Sequence, residues 1–336
     1  MKTRRIGPFE VAEIGLGCMN LSHAYGTPPE PAAAEALLLQ ALDAGVTLFD
    51  TAALYGFGAN ETLVGRVLKA HRSRIVLCSK GGMTGQPVGA GGALQRVIDG
   101  KPASIQRDCE DSLRRLGTEV IDLYYLHRWD KTVPIEDSVG AMARLVEQGK
   151  VRALGLSEVS AATLKRAQAV HPIAALQTEY SLWTRNPEIA VLQACAESGT
   201  AFVAFSPVGR GFLCGSPLDA AAFTPKDIRR AMPRFEPAHA AANAALLPGL
   251  ANLAAQAGCT PAQLALAWLL AQGEHIIPIP GTTQAAHLEE NLGAAAVTVP
   301  ATVMAALDAL FAPSRISGAR YNAQNESEVD TERYAA

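Results

Sequence analysis

The sequence predicts an α/β chain folded as one closed (β/α)8 TIM barrel, with an extra C-terminal helix and a long loop after the seventh strand. Three observations carry this. A unit of amphipathic helix, glycine and short apolar run recurs along the chain, the glycine ending each helix in left-handed conformation. The apolar runs are too short for helices and nearly unbroken in Val, Ile, Leu and aromatic residues, as parallel strands covered on both faces are. Eight such runs alternate with helices over about 280 residues, which favours a closed barrel over an open sheet.

The elements follow in order. Pro31 opens a helical stretch through Ala33, Leu37, Leu38 and Leu42 that ends at Gly45 and leads into the run 46–50. Ser104 is placed to cap a helix whose Ile105, Cys109, Leu113 and Leu116 share a face; Gly117 ends it and the run 120–127 follows. Val139, Met142, Leu145 and Val146 mark a third helix, ended by Gly149 before the run 151–157. A fourth spans 187–199 and precedes 200–205. The runs 14–17, 75–80, 174–177 and 275–279 complete eight strands. An open sheet would carry a glycine fingerprint after its first strand; Gly15-Leu-Gly17-Cys-Met-Asn20 has Asn where the third glycine belongs and reads as a tight turn.

Composition agrees with a large core. Of 336 residues, 49% are hydrophobic and 18% charged. With 29 Lys+Arg against 32 Asp+Glu, the net charge of −3 argues against a nucleic-acid partner. The basic start Met1-Lys-Thr-Arg-Arg runs into Gly7-Pro8 rather than an apolar signal segment, and 264–271 is far short of the roughly 18 apolar residues of a membrane span. A cytoplasmic protein without a membrane partner is expected. The six cysteines form no C-x-x-C pair and no zinc-spaced cluster, so no metal is expected. The domain expected is a barrel over 1–312 with a tail at 313–336. The sequence leaves the oligomeric state open.

In a barrel of this kind the chemistry collects at the C-terminal ends of the strands. Strand 2 ends in Asp50, strand 3 in Lys80, strand 4 in His127, strand 5 in Ser157 and strand 6 in Gln177. Any one of these alone would pass as a turn or cap; five on one rim mark a site. Tyr55 follows in the loop after Asp50.

Here the chain resembles the aldo-keto reductase family, in its bacterial and plant branch. The resemblance rests on Asp50-Thr-Ala-x-x-Tyr-Gly, Asn60-Glu61, Lys80, Leu123-Tyr-Tyr-Leu-His127-Arg, Gly149-Lys-Val-Arg-x-x-Gly-Leu-Ser157, Gln177-x-Glu-Tyr-Ser181, Phe205-Ser-Pro-x-Gly-x-Gly211 and Pro280-Gly-Thr-Thr with Leu288-Glu-Glu-Asn291. These occur in the family's order and run from about residue 5 to 312. The resemblance implies a NAD(P)H-dependent oxidoreductase acting on an aldehyde, ketone or secondary alcohol, with Asp50, Tyr55, Lys80 and His127 as catalytic residues. The chemistry agrees. A carbonyl taking hydride must also receive a proton, and a phenol of ordinary pKa near 10 serves only beside a cation that stabilises phenolate. Lys80 would be that cation, Asp50 would keep it charged, and His127 would orient the carbonyl oxygen.

The resemblance also implies an extended dinucleotide across the rim, NADP(H) first and NAD(H) as the alternative. Ser157 and Gln177 would hold its carboxamide and Phe205 would stack on its ring. Glu158 stands where the family often has Asn, and Phe205 where it often has Tyr. Gly17, Cys18 and Met19 would line its path, and Ser206, Val208, Gly209 and Arg210 would meet the pyrophosphate. Gly281 and Thr282 would meet the adenosine phosphate, with Gln284, His287, Glu290 and Asn291 around the adenosine. NADP-binding members usually place Lys or Arg in the segment after Pro-Gly-Thr; here His287 is its one candidate cation. Trp129 is expected as a substrate wall. The loop 206–239, with Lys226, Arg229, Arg230 and Arg234, reads as a lid or a solvated charged loop, and 318–336 as a third lid segment or a free tail. Competing functions are a lyase with Lys80 as Schiff-base amine and a non-catalytic nucleotide-sensing subunit of the same fold.

Overall fold

The computed structural model describes residues 1–88 and 92–334. Eight parallel strands form one sheet: β1 (Leu16–Gly17), β2 (Leu48–Asp50), β3 (Val76–Gly81), β4 (Ile121–Leu126), β5 (Val151–Ser157), β6 (Ile173–Glu179), β7 (Ala201–Phe205) and β8 (Ile276–Pro278). Neighbours in the sheet are neighbours in sequence. Gly15 N–H donates to Pro278 O at 3.0 Å and Gly17 N–H to Pro280 O at 3.2 Å, so the first strand meets the last and the sheet closes. Closure leaves no unpaired edge.

Helices α1 (Pro31–Asp43), α2 (Ala59–Leu68), α3 (Pro102–Leu116), α4 (Ile135–Glu147), α5 (Ala161–Gln168) and α6 (Val191–Ser198) lie between successive strands. Three more, α7 (Pro237–Ala244), α8 (Leu247–Gln256) and α9 (Pro261–Ala271), separate β7 from β8, and α10 (Ala285–Gly293), α11 (Ala301–Leu310) and the short α12 (Ala323–Ser327) follow β8. Gly45, Gly117, Gly149 and Gly199 all take positive φ where their helices end, as the repeated unit requires. Ser104 is not a cap. Pro102 already opens α3, because its ring fixes the φ a first helical residue needs; Ser104 is buried one turn in, its hydroxyl donating to Asp99 at 2.7 Å. Residues 187–190, expected to begin the fourth helix, form a separate short turn before α6.

Period-two alternation decides which side chains reach the rim. Leu48, Val76, Cys78, Leu123, Tyr125, Ala153, Ala175, Ala201, Val203 and Ile277 fill the barrel interior, plugged below by Ile6 and Val11 of an N-terminal hairpin, Thr3–Ile6 with Phe9–Ala12. Counting two residues on from the uppermost of these on each strand gives Asp50, Lys80, His127, Gly155, Gln177, Phe205 and Ile279. The layer above the core, polar at Asp50, Lys80, His127 and Gln177, is therefore the next layer of the barrel itself. Gly155 makes room for it: a Cβ there would lie 2.3 Å from the Tyr125 ring.

Two segments roof the rim. A second hairpin, Met83–Val88 with Ala93–Ile98, rises after β3, in a stretch outside the eight expected strands. Its signal was the glycine-rich sequence Gly89-Ala-Gly-Gly92 ahead of the short run Leu94-Gln-Arg-Val-Ile98, which ends in β-branched residues. The C-terminal segment is docked over the rim, apart from 335–336, which lie outside the described residues. Arg320 pairs with buried Glu158 through two bonds of 3.0 and 2.6 Å, and Lys131 donates to Ser327 O at 2.8 Å and Val329 O at 2.7 Å. Removing one partner of a buried pair leaves an uncompensated charge, at about 3–5 kcal/mol. Arg320→Met is accordingly expected to lower the free energy of unfolding in urea by that much, whereas a solvated tail would give no change.

The loop after β7 is docked as well. Met232 and Phe235 enter the core, Arg234 donates to Trp183 O at 2.6 Å, and Arg229 pairs with Asp227 at 2.7 Å. These two arginines are spent inside the loop and its supports rather than in solvent.

Candidate active site

A cleft of about 730 Å³ opens at the C-terminal end of the barrel, within the range of small-molecule and cofactor sites. Asp50, Tyr55 and His127 line it, and Lys80 lies fully buried behind them. Lys80 Nζ donates to Asp50 Oδ1, to Thr51 O at 3.0 Å and to Tyr55 Oη at 3.0 Å. Gln177 Nε2 donates to the other Asp50 oxygen at 2.8 Å. The ammonium thus has three protein acceptors, and the carboxylate has a donor on each oxygen. That satisfaction lets an ion pair persist in a dry site.

Local structure holds Tyr55 there. Its loop continues through Gly56, Phe57 and Gly58, all at positive φ, into α2. Asn60 fastens that turn, accepting from Thr51 Oγ1 at 2.6 Å and donating to Cys18 O at 2.8 Å. Glu61 accepts from Ser79 Oγ and, at 2.5 Å, from Arg115 Nε. The Asn-Glu dipeptide is thus a fastening of the rim.

Charge follows geometry. Burial opposes the Lys80 ammonium, but Asp50 and Tyr55 outweigh it and raise its pKa above the ordinary lysine value, so it stays charged. Burial pushes the Tyr55 phenol up; Lys80 pulls it back in part. The imidazole of His127 packs edge-on to Tyr55, with ring centroids 5.8 Å apart. Burial first, then the charges of Lys80, Arg128 and Arg96, hold it well below the usual imidazole value, so His127 is neutral. Its Nδ1 is buried without a partner among the described residues.

Of the residues expected to meet a dinucleotide, Gly17, Met19, Ser157, Gln177, Phe205, Ser206, Val208, Arg210, Gly281, Thr282, Gln284, His287, Glu290 and Asn291 all line the cleft. Three expected residues do not. Cys18 is fully buried in the helix-facing core, its Sγ directed to Leu16 O. Gly209 is buried at the start of the loop turn with φ 60°. Trp129 points away from the rim, its Nε1 donating to Val133 O at 2.8 Å beneath the Arg166 guanidinium. Glu158 also turns away: at φ 58° its side chain swings outward to Arg320 and to the Glu179 N–H.

Arg210 lines the cleft, but Glu179 already holds it at 2.5 Å, with the hydroxyls of Tyr25 and Tyr321 at 3.0 and 3.3 Å. Burial pushes Glu179 up, yet Arg210, Arg320 and Arg234 more than offset it and hold the carboxyl below its ordinary value. This network joins the tail, the loop after β7 and the ends of β5 and β6. Its long sequence separations explain why local patterns did not show it.

The residues suit an extended dinucleotide. No side chain caps α10, whose exposed face lines the cleft, so its first-turn N–H groups are available to an anion. Gly17 and Gly281 approach so closely that a Cβ on Gly17 would lie 2.9 Å from Ile279 O, and one on Gly281 2.8 Å from Gly17 O. Among the described residues no three His, Cys, Asp or Glu side chains converge as a metal site, and no single helix is long and apolar enough to cross a membrane.

A barrel whose rim sets a lysine-backed tyrosine beside a neutral histidine at a cofactor-sized cleft has the form of a hydride-transfer oxidoreductase. Comparison with known proteins makes this specific. The model of the Aldo/keto reductase family matches residues 13–312. The chain is 41% identical over 314 residues to a probable aldo-keto reductase 1 of Glycine max, across 93% of this chain and 89% of that one. Its structure is similar to a glycerol dehydrogenase of Gluconobacter oxydans, with TM-score 0.85 and 26% identity over 96% of this chain and 98% of the other. It is also similar to an aldo/keto reductase of Klebsiella pneumoniae in complex with NADP and acetate, with TM-score 0.72 and 26% identity over 96% and 99% of the two chains. The chain belongs to the aldo/keto reductase family and is an NAD(P)H-dependent oxidoreductase.

Proposed function

We propose that the protein transfers hydride reversibly between NADP(H) and an aldehyde, ketone or secondary alcohol, with Tyr55 as general acid and base. The observation that carries this is the Lys80 ammonium, bonded at once to Tyr55 Oη at 3.0 Å and to Asp50 in a buried pocket behind the cleft. A bound dihydronicotinamide supplies the hydride that no side chain can. Ser157 and Gln177 would hold its carboxamide, Phe205 its ring, and Ser206, Val208 and the α10 terminus its phosphates. Tyr55 gives its proton to the oxygen that becomes alkoxide. An alkoxide is a far stronger base than phenolate, so a phenol raised by burial still protonates it. Lys80 then stabilises the phenolate, and Asp50 keeps Lys80 protonated throughout. Neutral His127 orients the carbonyl oxygen without competing for the proton.

NAD(H) is the second cofactor, because the segment 281–291 lining the cleft carries no lysine or arginine. The test supplies each reduced cofactor deuterated at C4 with a panel of aldehydes and ketones. Deuterium on the product's carbinol carbon is the expected result. Tight cofactor binding without consumption would favour a nucleotide-sensing subunit, and borohydride-trapped substrate on Lys80 would favour a Schiff-base lyase.

A further inference from the structure

Four arginines line the cleft, and their partners divide them. Arg210 is held by Glu179, Arg229 by Asp227, and Arg96 by Glu328 at 2.6 Å. Arg128 differs. One nitrogen, Nη1, donates to His127 O at 2.7 Å and to Ser157 Oγ at 3.2 Å, which fixes the guanidinium on the rim. Among the described residues it has no carboxylate within ion-pair distance, and its Nε and Nη2 have no protein acceptor. It directly follows His127, and its charge reaches both Tyr55 and His127.

The other charges around the cleft do not cancel it. Asp50 is shared between Lys80 and Gln177, Glu328 belongs to Arg96, and Glu290 lies on α10 at the adenosine end. Leu54, Met83 and Val329 supply an apolar wall. A fixed guanidinium with a free edge suits a planar anion with two oxygens.

We propose that the preferred carbonyl substrate carries a carboxylate, received by the free edge of Arg128, which makes Arg128 a specificity-determining residue. This rests on the hydride transfer proposed above. In it Nη1 remains on His127 O and Ser157 Oγ, so the group that orients the substrate's charge is tied to the strand that carries His127. The acid's carboxylate keeps its charge throughout; only the carbonyl carbon gains hydride and its oxygen a proton.

The test measures reduction of matched pairs that differ in charge: 4-carboxybenzaldehyde with methyl 4-formylbenzoate, and succinate semialdehyde with butanal. In the native enzyme the acid of at least one pair is expected to be reduced with kcat/KM about 10- to 100-fold higher, the worth of a hydrogen bond to a charged group. Arg128→Met is expected to bring that ratio close to one, mainly through KM, and Arg128→Lys to retain part of it. NADPH affinity, read by fluorescence quenching, is expected to move by less than about twofold, well below the tenfold of one strong charge contact. Equal reduction of acid and neutral partner in both pairs overturns the proposal. So does a ratio unchanged in Arg128→Met, or a loss of NADPH affinity as large as the loss in KM, which would place Arg128 on the cofactor. If no carbonyl of the wider panel receives deuterium either, hydride transfer itself fails; deuteride transfer to neutral carbonyls without a charge preference overturns this inference alone.

Discussion

Tyr55→Phe is expected to lower kcat/KM by about 10²- to 10⁴-fold, the usual worth of a positioned general acid. Phenylalanine keeps the ring that packs edge-on to His127 and removes only the hydroxyl bonded to Lys80. The proton then has to come from water. The loss of one acceptor costs the buried ammonium an estimated 1–3 kcal/mol of stability, which the remaining bonds to Asp50 and Thr51 O leave affordable. Cofactor fluorescence quenching should survive in the folded variant, which separates lost chemistry from lost binding. Retained turnover would remove Tyr55 from its role.

The second large effect is on the ion pair. Lys80→Met removes the cation that stabilises phenolate and leaves Asp50 buried with Gln177 as its one side-chain donor. Unfolding in urea should show a loss of about 3–5 kcal/mol, together with near-complete loss of turnover. The double variant Asp50→Asn with Lys80→Met removes both charges and should recover most of that stability, with no recovery of activity. Equal stability of the single and double variants would show that the pair is not electrostatically coupled.

The alternation of apolar residues made the barrel legible, and the same alternation brought Asp50, Lys80, His127 and Gln177 to one rim. Tyr55 needed the family pattern, because its position depends on a loop turn at three successive positive-φ residues rather than on strand period. Cys18, Trp129 and Glu158 show the limit in the other direction. Each lies within one or two residues of a cleft-lining position, yet faces elsewhere, since a single backbone rotation decides the direction of a loop side chain. The tail at 318–334 was illegible for another reason. Its composition is polar, and what holds it is a set of partners far away in the chain: Glu158 for Arg320, Arg96 for Glu328 and Lys131 for two backbone carbonyls. Local pattern carries no record of such partners.

That last arrangement bears on how the protein is made and trimmed. Glu158 is synthesised 162 residues before Arg320, the guanidinium that neutralises it. A nascent chain can close its eight strands before the segment carrying Arg320 has left the ribosome, but it then holds a buried carboxylate at the end of β5 without its counter-ion. Translation must run past Arg320 before the barrel reaches full strength. A protease that removes the segment from Arg320 onward would undo it in the same place, so that segment acts as a seal on a catalytic layer built much earlier.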